Sequence, residues 1–226
     1  MTRVNKYMVY FCAKMIYNTH KDKQQRDVSM TKTEQLDMMT EKNNGYFFTS
    51  EVVDAGISKT YLSKYVKENK FEQTAQGIYV SDETWIDELY VIQKSNPILI
   101  FDRDTALYLQ GLTDREYSKI HVSVPKGYNT FRLKEKGLII HTYDDELYQM
   151  GICDVESNYG NLLKTYDKER VICDMVAGRG EVEIQVYQTA MKEYMSSSEK
   201  KLNVLLTYAE KMGLRDEIMK YVEVMI

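Results

Sequence analysis

The sequence predicts an α+β fold: an N-terminal winged helix-turn-helix, then a mixed α+β region with a helical C-terminal tail. Three observations carry this reading. Between Thr31 and Val80, three helical patterns precede a strand, a glycine turn and a second strand. Past Gln93, short alternating strands replace that order. From Ile184 onward only amphipathic helical patterns remain. The chain of 226 residues is comfortable for two domains, and 43% apolar with 28% charged residues is enough to bury proper cores. The expected division is an appended arm at 1–30, a winged unit at 31–84 and an α+β region at 85–226.

The arm carries Arg3, Lys6, Lys14, Lys21, Lys23 and Arg26 against only Asp22 and Asp27. Its apolar run Tyr7–Tyr17 is interrupted by Lys14, and no small-residue cleavage site follows cleanly, so it does not read as a signal peptide. No stretch reaches the roughly 18 apolar residues of a membrane span. From Thr31 the pattern turns helical. Thr31 or Thr33 caps, Glu34 falls in the first turn, and Leu36 and Met39 share a face. Asn43-Asn44-Gly45 stops this helix, and Tyr46-Phe47-Phe48 reads as a short apolar link. Thr49 or Ser50 caps a second helix with Val52 and Val53 inward, which Ala55-Gly56 ends. Ile57 is a plug, and Ser58 caps a third helix over Lys59–Asn69, with Tyr61, Leu62, Tyr65 and Val66 as its apolar stripe. Strands at 71–74 and 78–80 flank the tight turn Ala75-Gln76-Gly77.

Further along, a helical link is expected over Asp82–Gln93 and a helix over Phe101–Leu109, broken at Gly111. Strands are expected at Ile120–Val124 and Leu138–Tyr143, and as a pair at Gln149–Glu156 and Leu162–Tyr166. A helix over Glu169–Val176 ends at Gly178-Arg179-Gly180. The tail reads as helices at Ile184–Met195, Lys200–Met212 and Arg215–Met225. Its stripe Leu202, Leu205, Leu206, Ala209 and Met212 reads as core rather than as a partner groove.

A net charge of −4 excludes a uniformly basic nucleic-acid coat and leaves room for a local basic patch. The third helix is that patch. Ser58, Lys59, Thr60, Ser63, Lys64 and Lys67 are left for its outer faces. Lys59–Lys70 holds four lysines against Glu68, within a segment 31–84 that carries six lysines against nine acids. Short polar and basic groups on such a helix reach base edges and phosphates in the major groove of double-stranded DNA. Gln76 at the hairpin tip can hydrogen-bond to DNA but brings no charge. The rival reading is a winged helix used for protein contact, with a solvated lysine face.

Signals for other chemistry are weak. Cys12, Cys153 and Cys173 lie at no metal-ligand spacing and read as thiols of a reduced cytosolic protein. His20, His121 and His141 are scattered. His141 precedes Asp144, Asp145 and Glu146, but no second histidine has the spacing to join it, so no metal and no cofactor are expected. Asp167, Glu169, Arg170 and Asp174 cluster at a helix start. A catalytic carboxylate pair needs such a mix in a cleft. A carboxylate-rich first turn favoured by the helix dipole explains it without catalysis, and no enzyme activity is expected. Gly178-Arg179-Gly180 lacks the Gly-Lys-Ser/Thr of a phosphate loop.

Five motifs, in order, resemble one family. They are Gly45–Ser50 with Ala55–Leu62, then Gly77-Ile78-Tyr79, Leu109-Gln110-Gly111-Leu112-Thr113, Pro125-Lys126-Gly127-Tyr128 and Glu169-Arg170-Val171-Ile172-Cys173-Asp174. Together they resemble the AbiEi antitoxins from Thr31 to the C-terminus. Gln76, Gln110 and Val171 depart from that family's pattern, which often has a basic wing residue, a histidine and a threonine there. The resemblance implies a bacterial transcriptional regulator of an abortive-infection toxin–antitoxin operon. Its winged domain would repress its own promoter at inverted repeats. Its C-terminal domain would counter a nucleotidyltransferase-type toxin in the type IV manner, without a stable complex. Lys126 and Arg170 are the candidates for a surface acting on another macromolecule. Lys126 sits on a tight turn beside the stacking-capable Tyr128, and Arg170 lies near a helix start, where the dipole disfavours a cation.

Overall fold

The computed structural model describes residues 30–225, so the expectations for residues 1–29, Cys12 and His20 among them, fall outside the described residues. The described chain is mixed α and β. Helix α1 (Lys32–Lys42) starts as its sequence dictates. Thr31 and Glu34 form a reciprocal capping box, each side chain bonding the other's backbone N–H. The helix stops at Asn43. Tyr46-Phe47-Phe48 is not a link but strand β1, fully buried. Helix α2 (Thr49–Asp54) follows without a side-chain cap: the Thr49 N–H donates to Gly77 O instead. Ser58 caps α3 (Lys59–Glu68) by accepting from the Tyr61 N–H. Strands β2 (Glu72–Ala75) and β3 (Ile78–Val80) form the expected hairpin, and β1 joins it in an antiparallel sheet of order β1-β3-β2.

Leu36, Phe47, Val52, Ile57, Leu62 and Tyr65 form the core of these helices and strands. Phe47 is its hub, stacked on Tyr79 at 5.0 Å, tilted against Phe71 at 4.7 Å and edge-on to Tyr65 at 6.2 Å. Three aromatic rings around one buried ring explain why a three-residue strand is stable here.

Residues 82–87 form a turn followed by irregular backbone rather than the expected helical link, and α4 covers only Glu88–Ser95, capped by Asp87. Phe101 belongs to strand β4 (Ile100–Phe101), so α5 is shorter than expected, Arg103–Leu109. Next come β5 (His121–Pro125), α6 (Phe131–Glu135), β6 (Ile139–Tyr143), α7 (Asp145–Gln149), β7 (Ile152–Glu156) and β8 (Leu162–Tyr166). The short helices α6 and α7 carry no periodicity long enough to read from sequence. The five strands order as β6-β5-β4-β8-β7. Strand β5 runs parallel to β6, with α6 in the crossover, and β4 runs parallel to β8.

The period-two alternation assigns the two faces of this sheet. Ile100 and Tyr166 face a helical layer, which contains α8 (Lys168–Ala177), α9 (Ile184–Ser196), α10 (Leu202–Lys211) and α11 (Arg215–Met225). The tail stripe joins this core, with Leu205 and Ala209 fully buried. Phe101, Val122, Val124 and Leu163 face the other way, against Leu89 and Tyr90 of α4. Tyr46, Phe48, Ile78 and Val80 of the three-stranded sheet belong to that same apolar cluster. Polar contacts reinforce the junction. The Tyr46 hydroxyl accepts from the Asp87 N–H at 2.7 Å, and Asn44 Nδ2 donates to Gly160 O at 2.8 Å.

Gly45 sits in this junction with φ +87°, and a Cβ there would collide with Thr84 Oγ1 and come within 2.9 Å of Thr84 Cβ. Gly56 has a similar φ of +78° but faces open space. Gly56→Ala therefore incurs only the backbone cost of about 1–2 kcal/mol. Gly45→Ala adds a steric clash to that cost. Urea denaturation of both variants should find Gly45→Ala the less stable. Equal losses would mean that Thr84 moves aside freely.

Candidate functional site

The first candidate site is the outer face of α3. Leu62 and Tyr65 turn inward with Tyr61 and Val66 half-buried beside them, so the other helical positions face solvent. Ser58, Lys59, Thr60, Ser63, Lys64 and Lys67 are all exposed, as is Gln76 at the hairpin tip. Lys59, Ser63 and Lys67 fall at i, i+4 and i+8, one row along the helix, with Thr60 and Lys64 in the row beside it. The Ser63 hydroxyl donates back to Lys59 O at 3.0 Å. Lys64 pairs loosely with Glu68 at 3.7 Å, with 71% of the lysine side chain exposed. Such an exposed pair contributes little and is readily exchanged for another anion. Among the described residues Lys59 and Lys67 make no ion pair. Tyr61, half-buried, anchors the helix to α1 through Thr33, hydroxyl to hydroxyl at 2.7 Å. The α3 face is thus an exposed row of hydroxyls and ammonium groups with capacity for phosphate.

Lys126 is exposed on the turn after β5, beside exposed Tyr128, and its N–H is held by Tyr143 O at 2.7 Å. Arg170 corrects the sequence expectation. It is 0% exposed and offers no surface to any partner. Its Nε donates to Asp174 Oδ2 at 3.0 Å, one helical turn on, and its Nη1 donates to the carbonyls of Leu147 and Met150. The guanidinium lies over the rings of Tyr143 at 4.7 Å and Tyr166 at 4.5 Å. A cation early in a helix gains nothing from the dipole, and here the aspartate and the two carbonyls offset that loss. The neighbouring acids are engaged as well. Asp167 caps α8 at the Arg170 N–H. Glu169 accepts from the Tyr194 hydroxyl and from the Lys201 N–H. These carboxylates hold the helical layer together and form no open cleft.

A second polar cluster escaped the sequence reading. His121 and His141, 20 residues apart, meet across the parallel β5–β6 pair, His121 Nδ1 lying 3.2 Å from His141 Nε2. Strand pairing through a crossover leaves no spacing rule from which to find such a pair. Asp102, at the end of β4, is buried beside them. Burial, reinforced by Asp174, pushes its carboxyl well above the usual range. Burial, aided by the Arg103 guanidinium, pushes His141 down to about 4, and His121 is also lowered by burial. Both imidazoles are therefore neutral near pH 7.

Removing one partner of a buried ion pair strands the other charge, at about 3–5 kcal/mol. Arg170→Ala should destabilise the full chain by that amount in urea denaturation. Arg170→Lys should recover little of it, because an ammonium cannot reproduce the planar fork. A variant as stable as the parent would refute the structural role.

The fold is similar to that of the crystal structure of the RV2827C protein from Mycobacterium tuberculosis, with a TM-score of 0.51 at 9% identity, covering 78% of this chain and 70% of that one. Among the described residues, no helix is long and apolar enough to cross a membrane. No curated protein matches the sequence. Residues 34–81, which contain the whole α3 face and the hairpin, match the family described as "Transcriptional regulator, AbiEi antitoxin", the family that the sequence motifs resemble.

Proposed function

We propose that the chain is a DNA-binding autorepressor and antitoxin of a bacterial abortive-infection system, acting in the cytoplasm. Residues 31–84 act as a winged helix-turn-helix. Helix α3 enters the major groove with Ser58, Lys59, Thr60, Ser63, Lys64 and Lys67, while Gln76 on the β2–β3 hairpin reaches the adjacent backbone. Inverted repeats in its own promoter are the operator. Residues 85–226 counter a nucleotidyltransferase-type toxin without a stable complex. The observation that carries this reading is the exposed hydroxyl-and-lysine face of α3, within the segment that matches the regulator family. Of the two candidates for a toxin-directed surface, only Lys126 is retained, because it alone is exposed.

A gel-shift series on DNA upstream of the gene tests the first activity. Affinity should fall steeply with salt, with a log–log slope of about −0.9 per phosphate contacted. Lys59→Ala with Lys64→Ala should abolish specific binding, or reduce the slope by about one for each lost contact, while circular dichroism stays unchanged. Unchanged affinity in the double variant would remove α3 as the recognition helix. Binding insensitive to salt would favour protein contact instead.

The second activity is best tested in the full chain, because the apolar cluster around Tyr46 and Tyr90 would be opened by a cut near residue 81. Co-expression with the toxin, scored by colony survival, should show protection by the Lys59→Ala, Lys64→Ala variant although it no longer represses. Lys126→Glu should repress normally and protect less. Loss of protection in the α3 variant would tie neutralisation to DNA binding.

A further inference from the structure

We propose that Asp102, His121 and His141 form a binding site for a divalent first-row transition metal, with zinc as the best chemical match. Three neighbouring strands supply one donor each: Asp102 follows β4, His121 opens β5 and His141 lies within β6. The register sets His141 beside Ser123, two residues along from His121, so both rings emerge on one face of the sheet. The rings are nearly parallel, 14° apart, and their facing nitrogens are 3.2 Å apart. Two ligands at 2.0–2.1 Å from one tetrahedral ion sit about 3.3 Å apart.

A hydrogen bond between two neutral imidazoles also accounts for that separation, but it leaves Asp102 unexplained. Asp102 is 0% exposed, and among the described residues neither of its carboxylate oxygens has a hydrogen-bond partner. It occupies the N-cap of α5, where an aspartate ordinarily accepts from the helix amides, yet makes no such bond. Instead a carboxylate oxygen lies within 4.8 Å of one ring nitrogen of each histidine. A buried carboxylate without partners is costly, and a cation at this point satisfies it.

The surroundings fit a cation. Asp104 Oδ2 lies 3.9 Å from His121 Nε2, too far for a hydrogen bond but close enough to place a further acid beside the site. Asp104, Asp174 and Glu181 lie around the site together with the cations Arg103, Arg170 and Lys119, so acids and bases are intermixed there and no excess of positive charge bars a metal ion. Two imidazoles and one carboxylate suit zinc and its neighbours, whereas magnesium and calcium take shells of oxygen. Three protein donors leave a fourth tetrahedral position for water.

Zinc chloride titrated into chelator-stripped, full-length protein provides the test. Calorimetry should find one zinc ion bound per chain, and the melting temperature should rise with zinc concentration. His121→Gln with His141→Gln should abolish this uptake while the circular dichroism spectrum is retained. Cobalt in place of zinc should give the visible absorption of a tetrahedral site in the parent and none in the variant. No uptake by the parent, or unchanged uptake by the double variant, would overturn the proposal. Should the double variant fail to fold, His141→Gln alone decides, since its ring is only half-buried. Zinc affinity equal to that of the parent would then overturn the site, and a loss of at least tenfold would support it.

Discussion

The helical layer is organised around a single guanidinium. Every residue of α8 from Glu169 to Val176 is buried, so the helix cannot place its polar groups in water. Arg170, in its first turn, resolves this by answering one carboxylate, two carbonyls and two aromatic faces. Those partners come from β6, the α7 segment, β8 and α8 itself. One side chain thus joins the end of the sheet to the helices packed on it. An apolar residue would fill the space but leave Asp174 with only the Tyr143 hydroxyl and take the guanidinium donor from the two carbonyls. Position 151 shares the constraint: Gly151 has φ +83°, and a Cβ there would lie 2.9 Å from Arg170 Cβ.

The opposite face of the five-stranded sheet couples the two halves of the chain. Leu89, Leu99, Phe101, Val122 and Leu163 pack into one cluster with Tyr46, Phe48, Ile78 and Val80. The Tyr46 ring meets Tyr90 edge-on at 5.1 Å, and its hydroxyl is held at the Asp87 amide. Asp87 in turn accepts from Ser157 and Asn161 in the β7–β8 loop. The α3 face is consequently carried on a scaffold that is continuous with the larger sheet. Its orientation relative to that sheet is set by packing rather than by a linker, as the low count of 2 prolines and the short 82–87 connection already imply.

Charge is distributed to match. The lysines of α3 stay in water and unburdened by strong ion pairs, while the acids of the same segment are used locally. Glu34 completes a cap and Asp37 accepts from the Tyr65 hydroxyl at 2.5 Å. An acidic segment can therefore present a positive face, because lysines dominate the outer side of α3 while Glu34 and Asp37 are placed at the start of α1 and at the core edge.

The sequence by itself determined the local elements whose causes are local. Thr31, Ser58 and Asp167 each cap the helix that follows, Gly56 ends α2, and Gly77 turns the hairpin. The exposed residues of α3 were legible for the same reason: a 3.6-residue period fixes which positions face out. Tertiary structure decided whatever depends on a partner distant in sequence. Tyr46–Phe48 became a strand because β3 lies beside it, and Phe101 left its expected helix because β5 and β8 claim its backbone. Arg170 went inside because Asp174, Tyr143 and Tyr166 await it there, although its place near a helix start pointed outward. His121 and His141 met because parallel pairing set their strands in register, and Asp102 joined them because β4 is their neighbour. Spacing along a chain carries the geometry of one element only, whereas these meetings belong to the sheet.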